Sequence, residues 1–291
     1  MFVQRNNVKA VKSYFNFSLK EHFSNSEIKL IVRDCVCSRL GLSFSDYLLA
    51  DNQLMSESDL LYFRSVIKRL RNGEPFQYVM GSVHFAGIDL HIDQRGLIPR
   101  PETEELVDWI RSTVSNLSFG NIVDVCSGSG CIAFALEKIF PKARVIAIEY
   151  SKDAQCLLLE NKSQLNSSLE LICEDVLNAE SWQNIQSDSI EIMVSNPPYI
   201  PPSDACQIGT NVLEFEPHVA LFTPDDDPLV FYTSILKFGM DKLISGGYIF
   251  FEINPNFADE LIVQMGRVNL VNITLRKDLQ GRERFLMGQK S

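Results

Sequence analysis

The sequence lacks any apolar run of about eighteen residues or more, the length that a membrane-spanning helix needs. Residues 1–20 mix Arg5, Lys9, Lys12 and Lys20 with polar side chains and contain no signal-peptide core. The expected location is therefore the cytoplasm. Paired Cys-x-x-Cys elements are missing as well: the seven cysteines are odd in number and their spacings fit neither a zinc site nor a thioredoxin-like site. The reading is free thiols in a reducing compartment and no metal. Internal repeats and low-complexity segments are also absent. Positive charge is scarce after the first third, because residues 1–92 hold 11 Lys+Arg against 9 Asp+Glu, whereas residues 93–291 hold 16 against 28. A half carrying −12 is poorly suited to gripping duplex DNA, whose affinity comes largely from neutralising phosphates. The charge points to a protein or small-molecule substrate.

What is present fits one large domain and one small one. Ser24 with Glu27 forms a capping-box pattern, and Ile28, Ile31, Val32, Cys35 and Val36 then recur at helical spacing up to Gly41. A second helix begins near Ser56, carries Leu60, Phe63, Ile67 and Leu70 on one face and ends at Gly73. Residues 1–73 are expected to be all-helical, and residues 74–92 to form a β-hairpin linker. From residue 93 to 291, strand-like runs at 122–126, 145–149, 169–174, 190–195 and 248–253 alternate with helical runs at 132–140, 153–165 and 228–243. That alternation is the pattern of a parallel sheet covered by helices. Two last strands joined through Gly281 predict an antiparallel ending. The loop 200–227 is longer than a compact domain usually holds without a function.

Cys126, Ser127, Gly128, Ser129 and Gly130 form a glycine-rich turn between a strand and a helix, which brings backbone N–H groups close to a ligand. The spacing is neither the dinucleotide fingerprint nor a P-loop, so it suits a nucleoside with a short charged tail. Glu149 at the next strand end can accept both ribose hydroxyls, and Asp175, followed by Val176, closes the third strand where an adenine amino group would lie.

The fourth strand delivers Asn196-Pro197-Pro198-Tyr199 to the same edge. The Asn196 side-chain oxygen and the Pro197 carbonyl can accept both hydrogens of a planar NH₂ group and turn its lone pair toward an electrophilic methyl. Both bonds strengthen as the nitrogen becomes cationic. Pro198 stiffens the turn, and the Tyr199 ring can pack on a flat substrate group. Together these residues point to N-methylation with S-adenosylmethionine as donor. Arg100 and Thr103 can reach the cofactor's carboxylate or the substrate, or else serve as hinge and helix cap. His218 is left without a role, since the chemistry needs no general base.

These motifs, with Leu97-Ile98-Pro99-Arg100-Pro101-Glu102-Thr103-Glu104, Glu216-Pro217 and Lys277-Asp278-Leu279 followed by Gly281, resemble those of the HemK-type glutamine methyltransferases of peptide chain release factors. The resemblance spans nearly the whole chain. It implies a class I S-adenosylmethionine-dependent methyltransferase sheet, Rossmann-like, with seven strands and an antiparallel end, plus a small N-terminal helical domain that docks the substrate protein. The implied reaction is transfer to the N5 nitrogen of the glutamine in the Gly-Gly-Gln motif of class 1 release factors. By position, Cys126 to Gly130, Glu149, Asp175, Val176 and Asn196 would bind the cofactor, and Asn196 to Tyr199 would hold the glutamine. Two departures stand out: the family usually has glycine at the position of Cys126 and aspartate at that of Glu149. Cys126 must therefore avoid glycine-only angles. A methyltransferase acting on the exocyclic amino group of adenine or cytosine is the nearest rival, and a non-catalytic partner subunit with the same fold is another.

Overall fold

The computed structural model describes residues 5–114, 120–183, 185–224 and 227–291. Residues 1–4 of the N-terminal segment and residues 225 and 226 of the long loop lie outside the described residues. The chain forms two compact units, Met1–Gly81 and Ser82–Ser291. The segment 74–92 is shared between them, its helical part in the first unit and its hairpin in the second.

The first unit contains helices α1 (Val8–Leu19), α2 (Asn25–Leu40), α3 (Phe44–Leu49), α4 (Glu57–Arg71) and α5 (Phe76–Met80). Capping boxes at Ser24/Glu27 and Ser56/Asp59 start α2 and α4, and Gly41 stops α2 in the left-handed conformation. The apolar faces meet in one core, where Phe15 of α1 packs edge-on against Phe63 of α4 with ring centroids 5.9 Å apart.

The second unit opens with the hairpin β1 (Ser82–Phe85) and β2 (Ile88–His91), followed by α6 (Pro101–Thr113). Then come β3 (Asn121–Val125), α7 (Cys131–Ile139), β4 (Arg144–Ile148), α8 (Lys152–Leu165), β5 (Glu170–Ile172) and β6 (Ile190–Ser195). The chain finishes with α9 (Thr210–Phe215), α10 (Val230–Ser234), β7 (Leu243–Glu252), α11 (Ala258–Arg267), β8 (Leu270–Lys277) and β9 (Glu283–Lys290). Seven strands form one sheet in the order β5-β4-β3-β6-β7-β9-β8. Strands β3 to β7 pair in parallel, and β9 runs antiparallel to both β7 and β8. Strand alternation sends Ile122 into one helix-covered layer and Val123 and Val125 into the other.

Two sequence expectations are modified. The helical run 228–243 is α-helical only to Ser234, continues as a wider turn over Ile235–Gly239, and gives way to β7 at Leu243. The strand starts earlier than residue 248 because Gly246, at φ +80, absorbs a register irregularity that a side chain would resist. The loop 200–227 also has structure of its own, namely α9, short helical turns and a bridge between Ile200 and Phe222.

Buried Asn161 of α8 secures the hairpin to the sheet edge. Its Oδ1 accepts from the His91 amide (2.7 Å), while its Nδ2 donates to the carbonyls of His91 and Ser129 (both 3.1 Å). Strand order reverses at β3, which has β4 on one side and β6 on the other. Ligands bind beyond the carboxyl ends of strands at such a switch point.

Candidate active site

At that switch point lies a cavity of about 460 Å³ within the second unit. Sheet register explains what converges on it. Val125 is level with Ile148 on one side and Ser195 on the other, and Ser195 is level with Phe251. The next residue of each strand, namely Cys126, Glu149, Asn196 and Glu252, therefore falls in one row along the carboxyl edge.

The glycine turn is built from below. Asp124, fully buried, accepts from the Ala133 amide through Oδ2 (3.1 Å) and so caps α7, whose preceding residue Gly130 has no side chain to do so. Burial pushes this carboxyl up to about 8, and its Oδ1 has no hydrogen-bond partner among the described residues. Ser127 donates its hydroxyl to the Asp124 carbonyl (2.8 Å) and its amide to the Ile148 carbonyl (3.1 Å), which closes the turn. Gly128 and Gly130 have φ of +56 and +84. A Cβ on Gly130 would come within 2.5 Å of the Phe134 ring, whereas one on Gly128 would meet nothing within 4 Å, so the backbone of Gly128 is open to a ligand.

Cys126 has φ +62. Contrary to the expectation from the sequence, this is the left-handed region that favours glycine, which an L-residue occupies at a cost of roughly 1–2 kcal/mol, so the thiol stands at a backbone position glycine would fill without strain. Burial pushes the thiol well above its usual range.

Glu149 is 9% exposed and holds the turn directly: Oε2 accepts from the Gly128 amide (2.8 Å) and Oε1 from the Ser151 amide (2.7 Å). Burial raises its pKa, opposed by these backbone bonds. Each oxygen has a second lone pair available for a hydroxyl donor. Asp175 turns its Oδ1 to the Leu177 amide (2.9 Å), and the Val176 carbonyl is held by the Trp182 indole (3.2 Å) and the Ser234 hydroxyl (2.6 Å).

Asn196 lines the cavity and donates from Nδ2 to the Thr103 hydroxyl oxygen (3.4 Å). Thr103, at the third position of α6, donates in turn to Glu252 Oε2 (2.7 Å). Arg100 also lines the cavity and is held by buried Glu216, which does not line it. Glu216 accepts from Arg100 Nη2 at 2.6 Å and from the Ile98 amide at 3.1 Å, and its side chain is 1% exposed.

Most residues singled out in the sequence line the cavity: Cys126, Ser127, Gly128, Ser129, Glu149, Asp175, Val176, Asn196 and Pro198, with Arg100 and Thr103 beside them. Gly130, Pro197 and Tyr199 do not. Gly130 closes the turn beneath. Tyr199 packs against the hydrophobic layer under the sheet edge, and burial beside Glu252 pushes its phenol up to about 12. His218 also lines the cavity, with its ring nitrogen on the Leu213 carbonyl (2.8 Å) and its ring edge-on to Phe222.

The sequence reading missed Tyr150 and Glu252. Tyr150 follows Glu149, lines the cavity and is 62% exposed, an aromatic surface next to a carboxylate. Glu252 had a legible signal, an acid at the end of an apolar run. Among the described residues no cluster of His, Cys, Asp and Glu could hold a metal ion.

Two family models match the chain: the PrmC N-terminal domain over residues 15–81 and the methyltransferase small domain over residues 103–215. The release factor glutamine methyltransferase of Bacteroides thetaiotaomicron is 33% identical over 96% of this chain and 99% of its own length. That of Flavobacterium psychrophilum is 33% identical over 96% and 98%. The chain belongs to the release factor glutamine methyltransferase family. It is a methyltransferase, and its seven-stranded sheet with an antiparallel end is the class I arrangement the sequence led one to expect. A solved methyltransferase from Pyrococcus furiosus shares this fold, with TM-score 0.51 over 70% of this chain and 90% of its own at 14% identity. Within the family's frame, the helical first unit corresponds to the PrmC N-terminal domain, and the cavity lies in the unit that contains the methyltransferase match. Among the described residues no helix is long and apolar enough to cross a membrane.

Proposed function

We propose that this enzyme methylates the side-chain amide nitrogen, N5, of the glutamine in the Gly-Gly-Gln motif of class 1 peptide chain release factors, in the cytoplasm and with S-adenosylmethionine as donor. One observation carries the reading: register brings Asn196 level with Cys126 and Glu149 at a single cavity. The residues present fit the donor, because Gly128 leaves open space above its backbone and Glu149 keeps lone pairs beside it. In this reading Cys126 to Gly130 face the amino-acid tail, Glu149 the ribose, and Asp175 and Val176 the adenine. The bound donor supplies an electrophilic methyl on a sulfonium.

The chain's own work is orientation. Asn196 Oδ1 accepts one amide hydrogen of the glutamine and the Pro197 carbonyl the other, so the nitrogen lone pair faces the methyl. Holding the reactants in this alignment is worth roughly 7–11 kcal/mol, and each charge-assisted bond about 1.5–3 kcal/mol. Pro198 fixes the turn. Pro197 and Tyr199 lie outside the cavity lining, so in this reading Pro197 contributes its carbonyl alone, and Tyr199 supports the turn from the hydrophobic layer beneath it. The helical unit is assigned to docking the release factor. The −12 charge of residues 93–291 disfavours nucleic acid as a direct substrate.

Labelled S-adenosylmethionine, offered with a release factor, with the same factor lacking the Gly-Gly-Gln glutamine, and with nucleic acid, tests the assignment. Label on the intact factor alone is the expected result. Label on nucleic acid, or label that survives replacement of the glutamine, overturns it.

A further inference from the structure

Asn196 can present an oxygen to a substrate amide only if its own amide group faces the right way. A side-chain amide has two nearly equivalent orientations, and the wrong one would put an NH₂ against the NH₂ of the glutamine. Something must choose between them. The Thr103 hydroxyl has one hydrogen, and at 2.7 Å it is given to Glu252 Oε2. Its oxygen then has only lone pairs to offer, so it meets Asn196 Nδ2 (3.4 Å) and leaves Oδ1 as the amide's other polar atom at the cavity.

We propose that Thr103 and Glu252 are positioning residues, which fix the amide sense of Asn196 so that its oxygen faces the methyl acceptor. The proposal rests on the reading of Asn196 as the glutamine acceptor and names what makes it one. The three side chains come from separate elements, at the ends of β6 and β7 and in the first turn of α6. The parallel register of β6 and β7 sets Asn196 and Glu252 level, and α6 lays Thr103 between them. Glu252 is 3% exposed and Thr103 2%, so water does not compete for the hydroxyl.

The arrangement is directional, and reverses if Glu252 is protonated. A neutral acid donates to Thr103, the hydroxyl hydrogen is released toward Asn196, and the Asn196 amide is then better held by its oxygen. Groups around Glu252 pull both ways. Burial raises its pKa to about 7 and Glu102 adds to this, while the Thr103 hydrogen bond, Arg284 on β9 and Arg100 ahead of α6 lower it. The phenol of Tyr199 lies close by, and Tyr232 of α10 donates to the Glu252 backbone carbonyl (2.9 Å). Transfer therefore rises with pH as the carboxyl ionises.

The test uses the full chain with a release factor and labelled S-adenosylmethionine, comparing Thr103→Val, Thr103→Ser and Glu252→Gln with the unaltered enzyme. Thr103→Val keeps shape but loses the hydroxyl, and its kcat should fall about 10- to 100-fold. KM for the release factor and the donor's Kd by calorimetry should each move less than about 3-fold, the pattern of an interaction that matters mainly in the transition state. Thr103→Ser should recover most of the rate. Glu252→Gln should lose the rise of kcat between about pH 6 and 8 that the unaltered enzyme shows. The proposal is overturned if Thr103→Val keeps its kcat, if weaker donor binding accounts for its loss, or if Glu252→Gln retains the rising limb. If Glu252→Gln does not fold, the Thr103 pair decides alone. An unaltered enzyme that leaves the release-factor glutamine unlabelled defeats the functional assignment instead, and is thereby told apart.

Discussion

Glu216→Gln probes what holds the long loop against the cavity. The carboxylate receives two donors, the Arg100 guanidinium at 2.6 Å and the Ile98 amide at 3.1 Å. A glutamine has the same shape but one oxygen and one NH₂. In either orientation one of the two donors faces another donor. Losing the charge on one bond costs about 1 kcal/mol, and leaving a buried donor without an acceptor about 1–3 kcal/mol. Arg100 is 34% exposed and can turn to water, so the lower part of the range applies, about 2 kcal/mol in total. If the loop melts together with its unit, that loss lowers Tm by about 4–8 °C for a domain of this size. If the loop opens alone, Tm moves little, and amide exchange in α9 and at Ile98 accelerates about 30-fold. Scanning calorimetry and hydrogen exchange on the same variant separate the two cases. A Tm within about 1 °C of the unaltered protein, with unchanged exchange in both segments, would refute the idea that Glu216 fastens the loop.

Asn196→Ala should abolish detectable transfer, a loss of at least about 100-fold, while calorimetry finds donor affinity nearly unchanged; an active variant removes Asn196 from its assigned role. Stability should fall as pH rises through neutrality. Asp124, Glu252 and Glu149 all have pKa values raised by burial, to about 8 for Asp124 and about 7 for Glu252. The folded state then binds more protons than the unfolded one above the ordinary carboxylate range, and the urea midpoint should be lower at about pH 8 than at about pH 5, with a shallower slope in Asp124→Asn. Activity and stability should thus change in opposite directions across neutrality. Cys126→Gly should be nearly neutral, with a Tm shift under about 3 °C, since relief at φ +62 is offset by a more flexible unfolded chain and the lost burial of the thiol; a large loss of stability would mean that the thiol packs more tightly than its strain suggests.

What could be read in the sequence was local. The capping boxes of α2 and α4, the glycine turn and the strand ending at Asn196 are contiguous patterns whose physical rules act over a few residues. The row at the sheet edge was half legible: Cys126, Glu149 and Asn196 each follow an apolar run, and so does Glu252. Nothing in the sequence, however, reveals that β6 and β7 are neighbours in register. Long-range polar partners were not legible at all. Glu216 is 118 residues from Ile98, Thr103 is 149 from Glu252, and Asn161 is 70 from His91. Such bonds are set by tertiary packing, which hydrophobic periodicity does not encode. The start of β7 was misplaced for a related reason: the residues up to 243 fit a helical run and Gly246 and Gly247 separate them from 248–253, whereas the strand begins at Leu243 and passes through both glycines with a bulge.

The reversal of strand order at β3 has a consequence for how the enzyme can change. On the reading given above, the residues assigned to the donor follow β3, β4 and β5, whereas those that hold the acceptor amide itself, Asn196 and Pro197, follow β6. The two sets of residues are encoded in separate stretches of the gene, before and after residue 190. Exchanging 190–224 with a relative would alter which amide is accepted without rebuilding the nucleoside pocket, so acceptor specificity can drift while the donor site stays under its own constraint.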